Sequence, residues 1–225
     1  MKWNGLPVVI FGTGGISKEV YALIESINRN SSQQCFDVKG FVDEDEATIG
    51  KKIVNQISVI TCDKFFRDYC EHFKVLGIVI PVGTPSVKRK IYDKIKDIKN
   101  LVYPNIIAPN AIFDFSINSI GYGNILTHGV ITTVDIQIGN FNLINLATTL
   151  GHDSILGDFN VINPLCAISG NVHIGNENLL GVSCTILQML SIGDSCQIGA
   201  GAVVTKNVDS NLTVVGIPAK ELNKK

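Results

Sequence analysis

No sign of charge dominates this sequence of 225 residues: 19 Lys and Arg face 20 Asp and Glu. So nearly neutral a chain gathers neither nucleic acid nor an anionic membrane surface, which removes both as leading partners. Long apolar runs are missing too. Nowhere do about 18 apolar residues follow one another, the length a membrane-crossing helix needs. The opening stretch MKWNGLPVVIFGTGG reaches its glycines after a run too short for the apolar core of a signal peptide. The expected location is therefore cytoplasmic, with no membrane partner. Cysteine is present but without pattern. Cys35, Cys62, Cys70, Cys166, Cys184 and Cys196 form no C-x-x-C pair and have no histidines at zinc-site spacing. Buried, reduced thiols and no metal are expected.

What the sequence does have is apolar material, 45% of its residues, enough for one large or two small domains. In the second half it recurs with a period of six. From Ile120, every sixth residue reads Leu126, Thr132, Ile138, Ile144, Leu150, Leu156, Ile162, Ile168, Ile174, Leu180, Ile186, Ile192, Ile198 and Val204, and only Thr132 breaks the aliphatic series. Glycine follows at once at Gly121, Gly139, Gly151, Gly157, Gly175, Gly181, Gly193 and Gly199. A helix of about 3.6 residues per turn cannot match this period. A short strand plus a corner can. Three hexads close a triangular coil of 18 residues, so the fifteen hexads make five coils whose aliphatic residues stack along one axis. An ordinary β-sandwich would have longer strands and irregular spacing.

The first half follows another rule. Val8–Phe11 is an apolar run that leads into Gly12-Thr13-Gly14-Gly15 and then Lys18-Glu19-Val20 and Leu23-Ile24 at helical spacing. This reads as strand, glycine turn and helix, a place where phosphate can approach backbone N–H groups. Ser17 stands where a dinucleotide fingerprint has its third glycine, so a NAD site is not indicated. A second strand, Val38–Val42, ends in Asp43-Glu44-Asp45, acids placed to accept hydrogen bonds from a base or ribose. A third, Val75–Pro81, leads into Gly83-Thr84-Pro85-Ser86 and a basic helix with Lys88, Arg89 and Lys90. Alternating strands and helices imply a parallel sheet with its ligand at the C-terminal strand ends. A glycine loop, an acid and a base at that end suit a nucleoside diphosphate.

The stretches FGTGGISKEV, GFVDED, GHDSILGDF, SGNVHIG, IGAGAVVTKNV and VGIPAK resemble the bacterial sugar-nucleotide acetyltransferases, hexapeptide-repeat acyltransferases of UDP- or GDP-linked amino sugars or sialic-acid-type sugars. The resemblance implies a small Rossmann-like parallel α/β domain over residues 1–104 and a left-handed parallel β-helix over 105–225. It further implies acetyl-CoA as co-substrate and a homotrimer with active sites at subunit boundaries. A nucleotide-linked amino sugar would be held by Gly12, Thr13, Gly14, Gly15, Asp43, Glu44, Gly83 and Lys88, with Asn145 near the sugar.

Of the four histidines, His152 holds the third position of its hexad beside Gly151, where side chains point outward. His128 has the same position on another corner, His173 ends its hexad, and His72 belongs to the first domain. His152-Asp153 matches the family's catalytic histidine followed by an acid, in the context H-[DE]-x-x-[IL]-G-[DE]-F. An amine attacking a thioester must lose a proton, and an imidazole accepts one near neutral pH. Asp153 would hold the tautomer, unless strand alternation turns its carboxylate to the opposite face. Gly170, one coil from His152, would let the thioester approach and offer its N–H to the oxyanion. CoA is expected along Val182, Ala200, Gly201 and Lys206, with Pro218, Ala219 and Lys220 near its adenine end. Some family members have a second histidine nine residues after the first; here that position is Val161. The leading expectation is N-acetylation of a nucleotide-linked 4-amino-4,6-dideoxyhexose for a surface glycan. Sugar O-acetylation and a non-catalytic binding or scaffold role are the alternatives.

Overall fold

The computed structural model describes residues 3–222 and divides the chain into two compact units, Met1–Gly83 with Val87–Pro109, and Thr84–Ser86 with Asn110–Lys225. Among the described residues no helix is long and apolar enough to cross a membrane.

The first unit is a six-stranded sheet with helices between its strands. Its elements are β1 (Leu6–Phe11), α1 (Gly15–Asn30), β2 (Phe36–Asp43), β3 (Lys52–Val54), β4 (Ile57–Cys62), α2 (Phe66–Cys70), β5 (Leu76–Val79), α3 (Pro85–Ile95) and β6 (Leu101–Val102). The strand order is β3-β4-β2-β1-β5-β6, and every pairing except β3 with β4 is parallel. In the central strand Val8, Val9 and Ile10 are fully buried, as expected of a strand covered on both faces. One face of α1, with Val20, Tyr21, Leu23 and Ile24, is buried as well. Asn28, near the end of that helix, accepts from the N–H groups of Cys35 and Phe36 and donates to the Phe36 carbonyl, which fixes where β2 begins. The β3–β4 hairpin and α2 carry no period strong enough to have been read from sequence.

The second unit is a left-handed parallel β-helix. Up to Val204 its strands are two residues long, and the register from coil to coil is 18, as in Gln137 against Ile155, Leu143 against Val161 and Thr149 against Ala167. The aliphatic series points inward; Leu126, Ile144, Leu150, Leu156, Ile162, Leu180 and Ile186 are all buried. Thr132 keeps its inward place because its hydroxyl donates to the Ile112 carbonyl at 2.9 Å, below the first full coil. A second interior column is polar. Asn124, Asn142, Asn160 and Asn178 are wholly buried, and each side-chain oxygen accepts from the backbone N–H one coil on. The five cysteines Cys62, Cys70, Cys166, Cys184 and Cys196 are buried free thiols, and Cys35 is partly exposed.

The corners turn differently from what the glycine pattern suggests. Glycines directly after the aliphatic residue sit where a Cβ would strike the next coil; at Gly151 it would lie 2.5 Å from the Gly170 nitrogen. The left-handed backbone falls two residues later, at Asp135, Phe141, Ala147, Asp153, Phe159, Leu165, Asn171, Glu177, Ser183, Met189 and Ser195. Such φ values cost about 1 kcal/mol or more for a non-glycine residue. From Phe141 to Ser195 each of these residues is held by an N–H bond to the preceding coil, for example Asp153 to the Val134 carbonyl at 3.1 Å. The final coil is two residues short: Ile192 bridges to Val208 and Gln197 pairs with Thr213. The chain then folds back antiparallel, Thr213–Val215 against Lys220–Glu221.

Candidate active site

His152 and Asp153 occupy one corner of the β-helix. The left-handed φ of 60° at Asp153 takes this residue out of strand alternation, so its carboxylate does not turn to the opposite face. Its Oδ2 lies 2.7 Å from His152 Nδ1. A carboxylate accepts, so Nδ1 carries a proton, and in the neutral imidazole the lone pair lies on Nε2. Both side chains are more than half exposed. One coil further on, Gly170 lies under the imidazole. A Cβ built there would stand 2.5 Å from Nε2 and 2.6 Å from Cε1, so only glycine leaves the ring in this place. The Gly170 carbonyl accepts from Met189, while its N–H has no hydrogen-bond partner among the described residues. A base with a free lone pair beside an unengaged N–H can take a proton and stabilise an oxyanion.

The residues expected along CoA lie on two corners rather than one. Gly170 and Lys206 share the His152 corner, and Lys206 stands on the shortened turn that precedes Val208. Val182, Ala200 and Gly201 lie on the preceding corner, where the Gly201 N–H donates to the Val182 carbonyl at 2.8 Å. Between the two corners runs a face of small side chains: Thr149, Ala167, Thr185 and Val203. Ala219 reaches this face through its N–H bond to the Val203 carbonyl at 2.7 Å, with Pro218 and Lys220 beside it. Asn145 is 93% buried on the corner before His152 and does not meet the imidazole. Val161 is buried, so no second imidazole stands there.

In the α/β unit the strand ends surround a cavity of about 540 Å³ lined by Gly12, Thr13, Asp43, Glu44, Lys90 and Lys94, among others. Thr13 Oγ1 donates to Asp43 Oδ2 at 2.5 Å and the Asp45 N–H donates to Oδ1 at 3.1 Å, so this carboxylate is held from both sides. Gly12 has a φ of 88°, where only glycine is unstrained. Gly14, Gly15 and Gly83 do not line the cavity, though a Cβ on any of them would meet open space.

Lys88 requires a correction. It is 1% exposed and absent from the cavity wall, and burial pushes its ammonium down to a pKa of about 7. Lys90 and Lys94, one helical turn apart on α3, take the place expected of it. The spacing of Val87, Lys90, Ile91 and Lys94 is the signal that separates this face from the one that buries Lys88 and Ile95. Asp63, which follows β4, also lines the cavity, and no period in the sequence announces that strand. Among the described residues no cluster of three or more His, Cys, Asp or Glu side chains could hold a metal ion.

A hexapeptide β-helix with a histidine and carboxylate on one corner, joined in sequence to a parallel α/β unit, defines a class of acyltransferase. Within it, residues 7–95 match the PglD N-terminal domain. Nearly the whole chain resembles solved acetyltransferases. A mutant of perosamine N-acetyltransferase from Caulobacter crescentus, in complex with CoA and GDP-perosamine, is 26% identical over 97% of both chains, with a TM-score of 0.87. The acetyltransferase domain of PglB from Neisseria gonorrhoeae, in complex with acetyl coenzyme A, is 26% identical over 97% of this chain and 100% of that one, with a TM-score of 0.84. WeeI from Acinetobacter baumannii is 26% identical over 96% and 100%, with a TM-score of 0.80. A comparison with curated proteins finds no match. The resemblance to sugar-nucleotide N-acetyltransferases of the hexapeptide-repeat family therefore extends over both units.

Proposed function

We propose that this protein transfers the acetyl group of acetyl-CoA to the amine of a nucleotide-linked amino sugar, a 4-amino-4,6-dideoxyhexose, in surface glycan synthesis. The observation that carries the reading is the His152 corner: Nδ1 bonded to Asp153 at 2.7 Å, and Nε2 over Gly170. Full-length resemblance to a structure containing CoA and GDP-perosamine supports the two substrates.

The sugar amine attacks the thioester carbon while His152 Nε2 takes its proton. Asp153 holds the Nδ1 proton and favours the imidazolium that forms. The Gly170 N–H receives the developing oxyanion. Collapse breaks the C–S bond, and the proton on Nε2 passes to the departing CoA sulfur, so no covalent enzyme intermediate is needed. CoA lies along the small-residue face, with Val182, Ala200, Gly201, Lys206, Pro218, Ala219 and Lys220 around it. Gly12, Thr13, Asp43 and Glu44 hold the nucleotide, with Lys90 and Lys94 facing its phosphates; Gly14 and Gly15 leave room for them. The working form is a homotrimer in the cytoplasm, with active sites at subunit boundaries.

Release of free CoA thiol from acetyl-CoA, measured over a panel of UDP- and GDP-linked amino and hydroxy sugars, tests the reading. Thiol release with an amino sugar is expected, and silence across the panel would refute it. Replacing His152→Ala is expected to lower kcat by about 10²- to 10⁴-fold, with acetyl-CoA binding kept. A variant with near-normal kcat would remove the general-base role.

A further inference from the structure

The α/β unit holds a second cavity that the reaction as described does not use. It lies between α2 and α3, has a volume of about 260 Å³, and shares Phe11, Asp63, Ile91 and Lys94 with the larger cleft. Phe66 and Arg67 complete the part that matters here. The rings of Phe11 and Phe66 meet edge to face at 4.9 Å and give the chamber an aromatic wall. A nucleoside diphosphate with its phosphates in the larger cleft thus finds, across a shared wall, a chamber of nucleobase size.

The polar groups of this chamber discriminate between bases. Asp63 stands at the C-terminal end of β4, its N–H donating to the Asp43 carbonyl at 3.0 Å, so its backbone is fixed. Lys94 donates to Oδ2 at 2.7 Å, which leaves Oδ1 and the second lone pair of Oδ2 to accept from a ligand. Arg67 is exposed on the first turn of α2. Guanine presents two donors on one edge, N1–H and the 2-amino group, and two acceptors on another, O6 and N7. A carboxylate takes the first pair and a guanidinium the second. Uracil has a single N–H between two carbonyls, so the same carboxylate gains one bond and faces a carbonyl oxygen.

We propose that the chamber between α2 and α3 is a guanine-selecting base site, with Asp63 accepting from N1–H and the 2-amino group and Arg67 donating to O6 or N7. The donor of the amino sugar is then GDP-linked. This rests on the sugar-nucleotide reading above and narrows it.

The test is calorimetric titration of the full-length protein with GDP, IDP and UDP, where IDP lacks only the 2-amino group. GDP should bind on the order of tenfold more tightly than IDP, and UDP more weakly than either. Asp63→Asn should erase the difference between GDP and IDP. Arg67→Gln, on an exposed site that leaves folding intact, should weaken both purine nucleotides by a similar factor. Binding of UDP as tight as that of GDP, or a GDP/IDP ratio unchanged in Asp63→Asn, overturns the guanine site and leaves the acetyltransferase reading standing. If none of the three diphosphates binds, both fall together.

Discussion

In the β-helix, His152 has the neighbours its number dictates, Val134 and Gly170, each 18 residues away along the same corner. In the α/β unit Thr13 meets Asp43 across 30 residues and Asp63 meets Lys94 across 31, separations that no repeat announces. The two units also spend their polar groups differently. The β-helix runs a buried asparagine column through its interior, bonded coil to coil. The α/β unit keeps its strands apolar and collects carboxylates and ammonium groups at the strand ends. A one-dimensional lattice therefore lets the consequence of a substitution be read from positions 18 away, whereas a crossover fold does not.

The sharpest way to break this contrast is Gly170→Ala. The new methyl enters the space of the His152 ring, so kcat should fall by about 100-fold while the melting temperature hardly moves. Unchanged turnover would mean that the ring adjusts freely and that the coil neighbour does not set its position.

Next in size is the asparagine column. Asn142→Ala removes the Nδ2 bonds to Asn124 and to the Gly157 carbonyl, and both bonds that Asn160 makes to its oxygen. With buried groups left unpaired, the loss should be about 3–5 kcal/mol in denaturant unfolding. Asn178 ends the column: its Nδ2 has no partner among the described residues, and its oxygen accepts from Cys196. Asn178→Ala should therefore cost only about 1–2 kcal/mol. Equal losses at the two sites would show that the column is not a continuous ladder.

The α/β unit supplies the smaller effects. Lys88 has its pKa lowered from 10.5 to about 7 by burial, so between those values the unfolded chain binds more protons than the folded one. Stability should then rise with pH across that window. Lys88→Met, with no proton to bind, should flatten the rise. Melting temperatures of both proteins against pH provide the check, and parallel curves would contradict it. Smallest of all, Thr13→Val loses the hydroxyl bond that orients Asp43. Nucleotide binding should weaken about fivefold, the equivalent of about 1 kcal/mol, with thermal stability unchanged.

The sequence by itself determined the coil. A strand of two residues and a corner of four repeat in phase from Ile120 to Val204, and backbone bonding between coils leaves no other register that keeps every aliphatic residue inside. It also determined that His152 and Gly170 share a corner and that Gly12, Thr13, Asp43 and Glu44 gather at one sheet end, because strand ends in a parallel sheet face the same way. Tertiary structure decided the rest. Asp153 reaches His152 through a left-handed corner residue, a conformation that its side chain does not announce and that a bond to the preceding coil sustains. Which lysine of α3 faces the cleft depends on how the helix is rotated against its sheet, and that rotation, fixed by packing, buries Lys88 and presents Lys90 and Lys94. Asp63 enters the site only because a strand without a clear period pairs beside β2. Local periodicity fixes what repeats along the chain, and packing between distant segments fixes the rest.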